Sequence, residues 1–307
     1  MATLRQPAQW RLRTRALALG VRTLVMGVVN ITPDSFSDGG AFLDPQAAIA
    51  RGLEMLDEGA DILDLGAEST RPGSHAGHTG PAVSAEEEQA RLLPVLEGIL
   101  KARLHAVISV DTYKAPTARA ALRAGAEIIN DVSGFSWDAG MALVCSEARA
   151  GLVLMHTRGR PEEWRSQDRL DPDALLDSVR SGLEESLQTA RAAGVSREAI
   201  VLDPGYGFGK RFGENYALLA RQDQLLALGR PLLAGLSRKS FLGHTLASLH
   251  GGEPATPAQR DTASIAALTA AILHGASIVR VHTVRPAVEA ASIADAILAA
   301  TPVVPGP

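Results

Sequence analysis

A chain of 307 residues, with 46% apolar and 21% charged side chains, has the makeup of an ordinary globular protein with ample core. A net charge of -4 argues against a general nucleic-acid or anionic-membrane binder, which carries a basic excess, but leaves room for a local cationic pocket. The lone Cys145 excludes an intrachain disulfide framework and a cysteine-based zinc cluster and suits a reducing cytosol; no apolar run approaches the roughly 18 residues that span a bilayer.

Residues 1–22 carry five arginines and no acid, a composition shared with transit peptides. The partial alternation of Trp10 to Leu17, with Gly20 as a turn, predicts instead a short N-terminal β ribbon leading into the first strand. That strand, 23–30, is almost continuously apolar and ends in Asn30, followed by a Thr-Pro turn and a polar loop closed by two glycines. A helix over 45–58 follows, with Gly59 at its C-terminal end. Strand two, Asp61 to Ala67, leads through a long loop to a helix from Ser84, where Ser84 and Glu87 form a capping-box pattern. Strand three, His105 to Asp111, precedes a helix opening at Ala115-Pro116. Strand four, Glu127 to Asp131, is followed by a helix around 139–149, and strand five, Gly151 to His156, by one at 173–193. Strand six, Ala199 to Asp203, leads into a glycine loop and a helix at 215–228. Strand seven, Pro231 to Leu236, precedes a Ser-Arg-Lys-Ser loop and a helix at 258–274; strand eight, Ser277 to His282, is followed by a helix at 286–299.

Eight strand–helix units without a linker or composition break predict one (β/α)8 TIM barrel over 23–300, with the ribbon 1–22 packed on it and a disordered tail at 301–307. An open doubly wound sheet is the alternative, but no G-x-G-x-x-G follows strand one. The longest connections, 71–83, 157–172 and 237–257, all follow strands, on the face where barrels keep their active sites.

Every strand ends in or beside a polar residue: Asn30, Glu68 to Arg71, Asp111, Asn130 with Asp131, His156, Asp203, Ser237 to Lys239, and Arg280 with His282. A single such Asp has a bland explanation as a helix cap; polar tips on all eight strands predict one site at one mouth. Asp111, Asn130 and Asp203 suit a heterocycle with N–H donors, and Lys239, Arg71, Arg280 and His282 suit an anion such as phosphate. Asn30, with Thr32, Asp34 and Asp38 nearby in sequence, suits a hard cation on that anion. The glycines of Asp203-Pro204-Gly205-Tyr206-Gly207-Phe208-Gly209-Lys210 permit close backbone approach to a ligand, although a tight turn alone would also need them. The remaining histidines lack metal-ligand spacing.

Over about residues 10–300 the chain resembles the dihydropteroate synthase family. The resemblance is carried by M-G-V-V-N-I-T-P-D-S-F-S-D-G-G at 26–40, E-S-T-R-P-G at 68–73, S-V-D-T-Y-K-A at 109–115, I-N-D-V-S-G at 129–134, M-H at 155–156, D-P-G-Y-G-F-G-K at 203–210, S-R-K-S at 237–240 and R-V-H at 280–282. It implies condensation of 6-hydroxymethyl-7,8-dihydropterin diphosphate with 4-aminobenzoate. It also implies a pterin site of Asp111, Asn130, Met155, Asp203, Phe208 and Lys239, and a diphosphate site of Asn30, Thr70, Arg71, Arg280 and His282 with magnesium, Asn30 being the metal ligand. The implied aminobenzoate pocket is Phe36, Ser37, Pro72, Phe208 and Ser240, where sulfonamides compete in this family. Asp38, Arg71, Asp111 and Lys239 are the implied catalytic residues, in a cytoplasmic homodimer built through helices such as 258–274 and 286–299.

Three positions depart from the family pattern. Thr283 replaces an Asp that would orient His282, Ala67 replaces a glycine, and the loop 74–83 is longer than usual. A methyltetrahydrofolate-dependent methyltransferase shares the Asp/Asn acceptors but has no use for Ser-Arg-Lys-Ser or a diphosphate cluster. A non-catalytic pterin-binding relative would not need Phe36, Ser37, Asp38 and Arg71, and a Schiff-base role for Lys239 lacks any accompanying carbonyl-substrate pattern.

Overall fold

The computed structural model describes residues 5–32, 44–69 and 83–300. Eight parallel strands close into a barrel: β3 (Leu24–Asn30), β4 (Ile62–Gly66), β5 (Ile108–Asp111), β6 (Ile128–Asp131), β7 (Gly151–Met155), β8 (Ile200–Asp203), β9 (Leu232–Ala234) and β10 (Ala276–Val281), with β10 pairing back onto β3. Ahead of it, β1 (Ala8–Arg11) and β2 (Ala16–Leu19) form the antiparallel ribbon. The helices are α1 (Pro45–Asp57), α2 (Ala85–Ala102), α3 (Ala115–Ala124), α4 (Met141–Ala148), α5 (Pro172–Ala192), α6 (Phe212–Ala220), α7 (Ser240–Thr245), α8 (Asp261–Leu273) and α9 (Val284–Ala300). The expected tail 301–307 lies outside the described residues.

Strand alternation explains both the core and the site. Along each strand one residue faces the barrel interior and the next faces the helices. At the N-terminal end the inward residues are apolar: Leu24, Met26, Ile62, Val107, Ile128, Val153, Val201, Leu233 and Ile278 form one cluster, and Trp10, Leu12 and Leu19 of the ribbon close it from below. Trp10 is fully buried, and its indole N–H donates to the Ala199 carbonyl at 2.8 Å. The outward residues between them, such as Leu63, Val110, Ile129 and Leu202, join the larger cluster with the helices. Each inward apolar side chain so buried contributes about 1.5–3 kcal/mol. Two residues further along, the inward positions turn polar on β4, β5, β6, β8 and β10, at Asp64, Ser109, Asn130, Asp203 and Arg280.

The local rules shift several boundaries. Ser84 Oγ accepts the Glu87 N–H at 3.1 Å, but the Glu87 carboxylate turns to Arg91 instead of closing the capping box. The strand expected from His105 begins at Ile108, because Ala106 is still in a turn, its N–H bonded to the Arg103 carbonyl at 2.9 Å. The helix expected at 215–228 is α6 followed by a 3-10 segment, Gln222–Leu228, in which the buried Gln222 accepts from Tyr206 Oη and donates to the Ala271 carbonyl. The loop after β9 contains the short helix α7, and α8 starts at Asp261, after a 3-10 turn capped by Thr256.

Candidate active site

The polar inward positions are Asp64 on β4, Ser109 and Asp111 on β5, Asn130 on β6, Asp203 on β8 and Arg280 on β10. Asp64, Asp111, Asn130 and Arg280 meet in one hydrogen-bonded network at the C-terminal mouth. Arg280 donates from Nε to Asp64 Oδ2 at 2.6 Å and from Nη2 to Asp111 Oδ2 at 2.8 Å. Asn130 Nδ2 donates to the same Asp64 oxygen at 2.9 Å. Asp64 Oδ1 and the Ser109 hydroxyl, on neighbouring strands and paired in register, are buried with no hydrogen-bond partner among the described residues. Two acceptor-capable oxygens so placed present a buried surface to a ligand that brings N–H donors.

Asp203 and Lys239 close the other side. Asp203 Oδ1 accepts the Gly205 N–H at 2.7 Å, and its Oδ2 lies 3.7 Å from where a Cβ on Gly235 would stand, beside Arg280. Lys239 follows a sharp turn in which Arg238 adopts φ +58°. That turn is held by the Arg238 guanidinium on Asp261, at 2.7 and 3.0 Å, and by the Arg238 N–H on Ser264 Oγ at 2.8 Å. Lys239 Nζ then lies 4.0 Å from the centre of the Phe208 ring. Beside this charged floor, Tyr113, Val132 and Met155 form a separate apolar cluster with Trp137 and Phe208 against it, a wall suited to the face of a flat ring.

Burial moves Asp111, Asp203 and Lys239 towards neutrality. Burial pushes the Asp111 carboxyl up to about 7 although Arg280 opposes it, and Asp203 is raised for the same reason. Burial lowers the Lys239 ammonium to about 8, with Asp203 and Asp111 favouring the charge and Arg280 opposing it.

The structure thus brings Asp111, Asn130, Met155, Asp203, Phe208, Lys239 and Arg280 together. Asn30 ends β3 beside Gly66 of β4. His282 stands just past β10, with Nδ1 3.0 Å from Ser237 Oγ and its N–H donating to the same oxygen at 3.2 Å. Ser237 therefore provides the contact that Thr283 does not: the Thr283 hydroxyl turns to Asp261 at 3.2 Å. Ser240 is exposed at the start of α7. Phe36, Ser37, Asp38, Thr70, Arg71 and Pro72, and most of the long 74–83 loop, lie outside the described residues.

Convergence of all eight strand ends does not hold. Asp131 is buried on the helix side, accepting from the Ser133 N–H and hydroxyl and from the Phe135 N–H at 2.7–2.9 Å. The His156 ring packs against Gly182 of α5, 2.6 Å from where a Cβ there would stand. Both follow an inward residue, Asn130 and Met155, so alternation sends them outward.

Four further residues were not singled out from sequence: Asp64, Ser109, Lys210 and Lys114. Lys114 pairs with Glu68, which also accepts from Tyr113 Oη at 3.1 Å, and with Glu88 at 3.3 Å; this braces the segment after β4 against the one after β5. Asp64 carried a readable signal, a carboxylate at an inward position of an otherwise apolar strand.

The family described as pterin binding enzyme matches residues 26–282 of this chain. The dihydropteroate synthase of Bacillus subtilis (strain 168) is 43% identical over 283 residues, covering 92% of this chain and 91% of that one. The structure of Xanthomonas albilineans dihydropteroate synthase with 4-aminobenzoic acid superposes with a TM-score of 0.83 at 39% identity, covering 97% of this chain and 100% of that one. That of Burkholderia cenocepacia dihydropteroate synthase complexed with 7,8-dihydropteroate gives 0.79 at 40% identity, covering 96% and 98%.

Proposed function

Since the chain belongs to the pterin binding enzyme family, we infer that it catalyses the dihydropteroate synthase reaction, joining 6-hydroxymethyl-7,8-dihydropterin diphosphate to 4-aminobenzoate. The observation that carries this reading is the Asp64–Arg280–Asp111 network with Asn130, Asp203 and Lys239 around it: acceptors inside the barrel, cations at its rim, and an apolar wall alongside. The pterin ring lies on that wall, with its N–H edge towards Asp111, Asn130 and Asp203, and Met155 and Phe208 against its face. Lys239 donates to the ring from the opposite side.

The exocyclic carbon of the pterin loses its bond to diphosphate oxygen and gains one to the aniline nitrogen, which gives up a proton. The amine is already unprotonated near neutral pH, so no dedicated base is required. Positive charge that spreads into the pterin as the carbon–oxygen bond lengthens is stabilised by the Asp111 carboxylate, with Asp38 a second carboxylate for that task. Arg280 and His282 accept the diphosphate charge, together with Thr70 and Arg71. Phe36, Ser37, Pro72, Phe208 and Ser240 form the aminobenzoate pocket.

Magnesium fits the donors present. Among the described residues no group of three His, Cys, Asp or Glu could hold a metal, and the neutral amide of Asn30 suits an ion that takes most of its oxygens from phosphate and water. Bound there with the diphosphate, the ion supplies charge neutralisation to the leaving group.

A homodimer is supported by the exposed Ile293 and Ile297, one turn apart on α9. A cytoplasmic location is supported by the free buried thiol of Cys145. Incubating the purified chain with pterin diphosphate, 4-aminobenzoate and magnesium yields 7,8-dihydropteroate on this reading; no product at any magnesium concentration would remove it.

A further inference from the structure

The glycine loop after β8 ends in a lysine that this chemistry does not use. Lys210 is 7% exposed, and its Nζ donates to the carbonyl oxygens of Gly205 at 2.7 Å, Phe208 at 3.3 Å and His156 at 3.4 Å. Two of these acceptors belong to the loop and the third follows β7. An ammonium has three donors and no acceptor, so a pocket of three carbonyls matches its full capacity.

The loop it ties is tightly wound. Gly205, Gly207 and Gly209 have φ of +71°, +82° and +70°, and a Cβ on Gly205 would stand 1.9 Å from the His156 oxygen. Lys210 therefore grips the loop where its backbone presses against the end of β7. Between Gly207 and Gly209 the loop projects Phe208, whose ring lies under Lys239 Nζ and edge-on to Trp164, centroids 5.1 Å apart. Asn215 Oδ1 takes the Gly207 N–H at 2.7 Å and Arg158 Nη1 the Gly209 carbonyl at 3.3 Å. The turn is also closed by the Phe208 N–H on the Gly205 carbonyl at 3.1 Å and by the Arg158 N–H on the Phe208 carbonyl at 3.4 Å; Lys210 joins these two carbonyls to that of His156 from inside. Asp203 and Glu214 favour its charge, while Lys239 and Arg158 oppose it, and burial brings its pKa down to about 7.

We propose that Lys210 is a positioning residue for the 4-aminobenzoate half of the site: by gathering the carbonyls of His156, Gly205 and Phe208 it fixes the loop that holds the Phe208 ring against Lys239. The proposal rests on the reading of Phe208 as a wall of the aminobenzoate pocket. Lys210 Nζ is spent on three backbone carbonyls, so its influence is on where the ring stands.

Steady-state kinetics of Lys210→Met, with each substrate varied in turn and a melting curve for each protein, tests this. The expected result is a KM for 4-aminobenzoate raised about tenfold, with a clearly smaller rise of about threefold in the KM for pterin diphosphate, whose face Phe208 also meets. Lys210→Gln keeps amide donors without the charge and should fall between the two; it gives the same split where the Met variant does not fold. A lowered melting temperature with both KM values unchanged, or an equal rise in both, would overturn the proposal. A parent chain that forms no dihydropteroate removes the assigned reaction and this inference with it. A normal parent beside an unaltered aminobenzoate KM in the variants removes Lys210 alone.

Discussion

Arg280 is fastened to Asp111, Nη2 to Oδ2 at 2.8 Å, yet burial still holds that carboxyl up at about 7. On the proposed reading, the pterin edge needs the ionised form as its acceptor. Below about 7 Asp111 is protonated and that acceptor is lost, so kcat/KM for pterin diphosphate falls as the pH drops. Above about 8 Lys239 is neutral and its donor charge is lost, so the same quantity falls as the pH rises. A pH profile of kcat/KM should therefore be a bell with its maximum between these limits, since it reports the groups of the free enzyme. Asp111→Asn should lose the acid limb together with most of the activity; a flat profile from pH 6 to 9 would show that neither group titrates in the productive site.

Asp64 is the carboxylate on which this arrangement turns, because one oxygen receives both Arg280 and Asn130. Removing a partner from a buried charge pair typically costs about 3–5 kcal/mol. Asp64→Ala should accordingly destabilise the barrel and loosen Arg280 and Asn130 at once. Asp64→Asn, which keeps the shape, should raise KM for pterin diphosphate by about ten- to a hundredfold, the range of one or two lost charge-assisted bonds. Titration calorimetry with a pterin ligand checks this directly, and unchanged affinity would reduce Asp64 to a packing role.

The same residue shows where sequence reading stopped. Strand-end residues such as Asn30, Asp111 and Asp203 are legible because each breaks an apolar run at its edge. Asp64 sits inside the run Ile62 to Gly66 and is picked out only once inward and outward positions are separated. The same alternation would have sent Asp131 and His156 away from the mouth. The eight units were legible from period and spacing, whereas α7 and the 3-10 break at Gln222 were not, because both depend on contacts distant in sequence. Gln222 is set by Tyr206 and Ala271, and Ala255, after α7, returns its N–H to the Gly243 carbonyl at 3.1 Å. Lys210 has an ordinary motif position; only its three carbonyl partners reveal its task.

Ser237 takes over the orientation of His282. The ring Nδ1 lies 3.0 Å from the Ser237 hydroxyl, and losing one such hydrogen bond typically costs about 0.5–1.5 kcal/mol, about two- to tenfold. Ser237→Ala should lower kcat/KM for pterin diphosphate towards the small end of that range and leave the KM for 4-aminobenzoate in place. The reciprocal change, Thr283→Asp, should have little effect in the parent and restore part of the loss in Ser237→Ala. Failure of that rescue, with His282 shown intact by its own substitution, would mean that the ring is held elsewhere.

The ribbon at the opposite end predicts a separation of stability from chemistry. Trp10 seals the apolar layer of the barrel interior, and its indole N–H satisfies the Ala199 carbonyl at the foot of β8. Trp10→Ala removes the packing and leaves that carbonyl without this donor, for a combined cost of about 3–5 kcal/mol. Denaturant unfolding should show the loss. Among the described residues the polar layer, two residues further along β4, β5, β6, β8 and β10, makes no side-chain hydrogen bond to Trp10's cluster, so both KM values should stay at the parent level at a temperature where the variant remains folded. A change in either KM without loss of stability would mean that the barrel transmits strain from its foot to its mouth, and that the apolar and polar layers work as one unit.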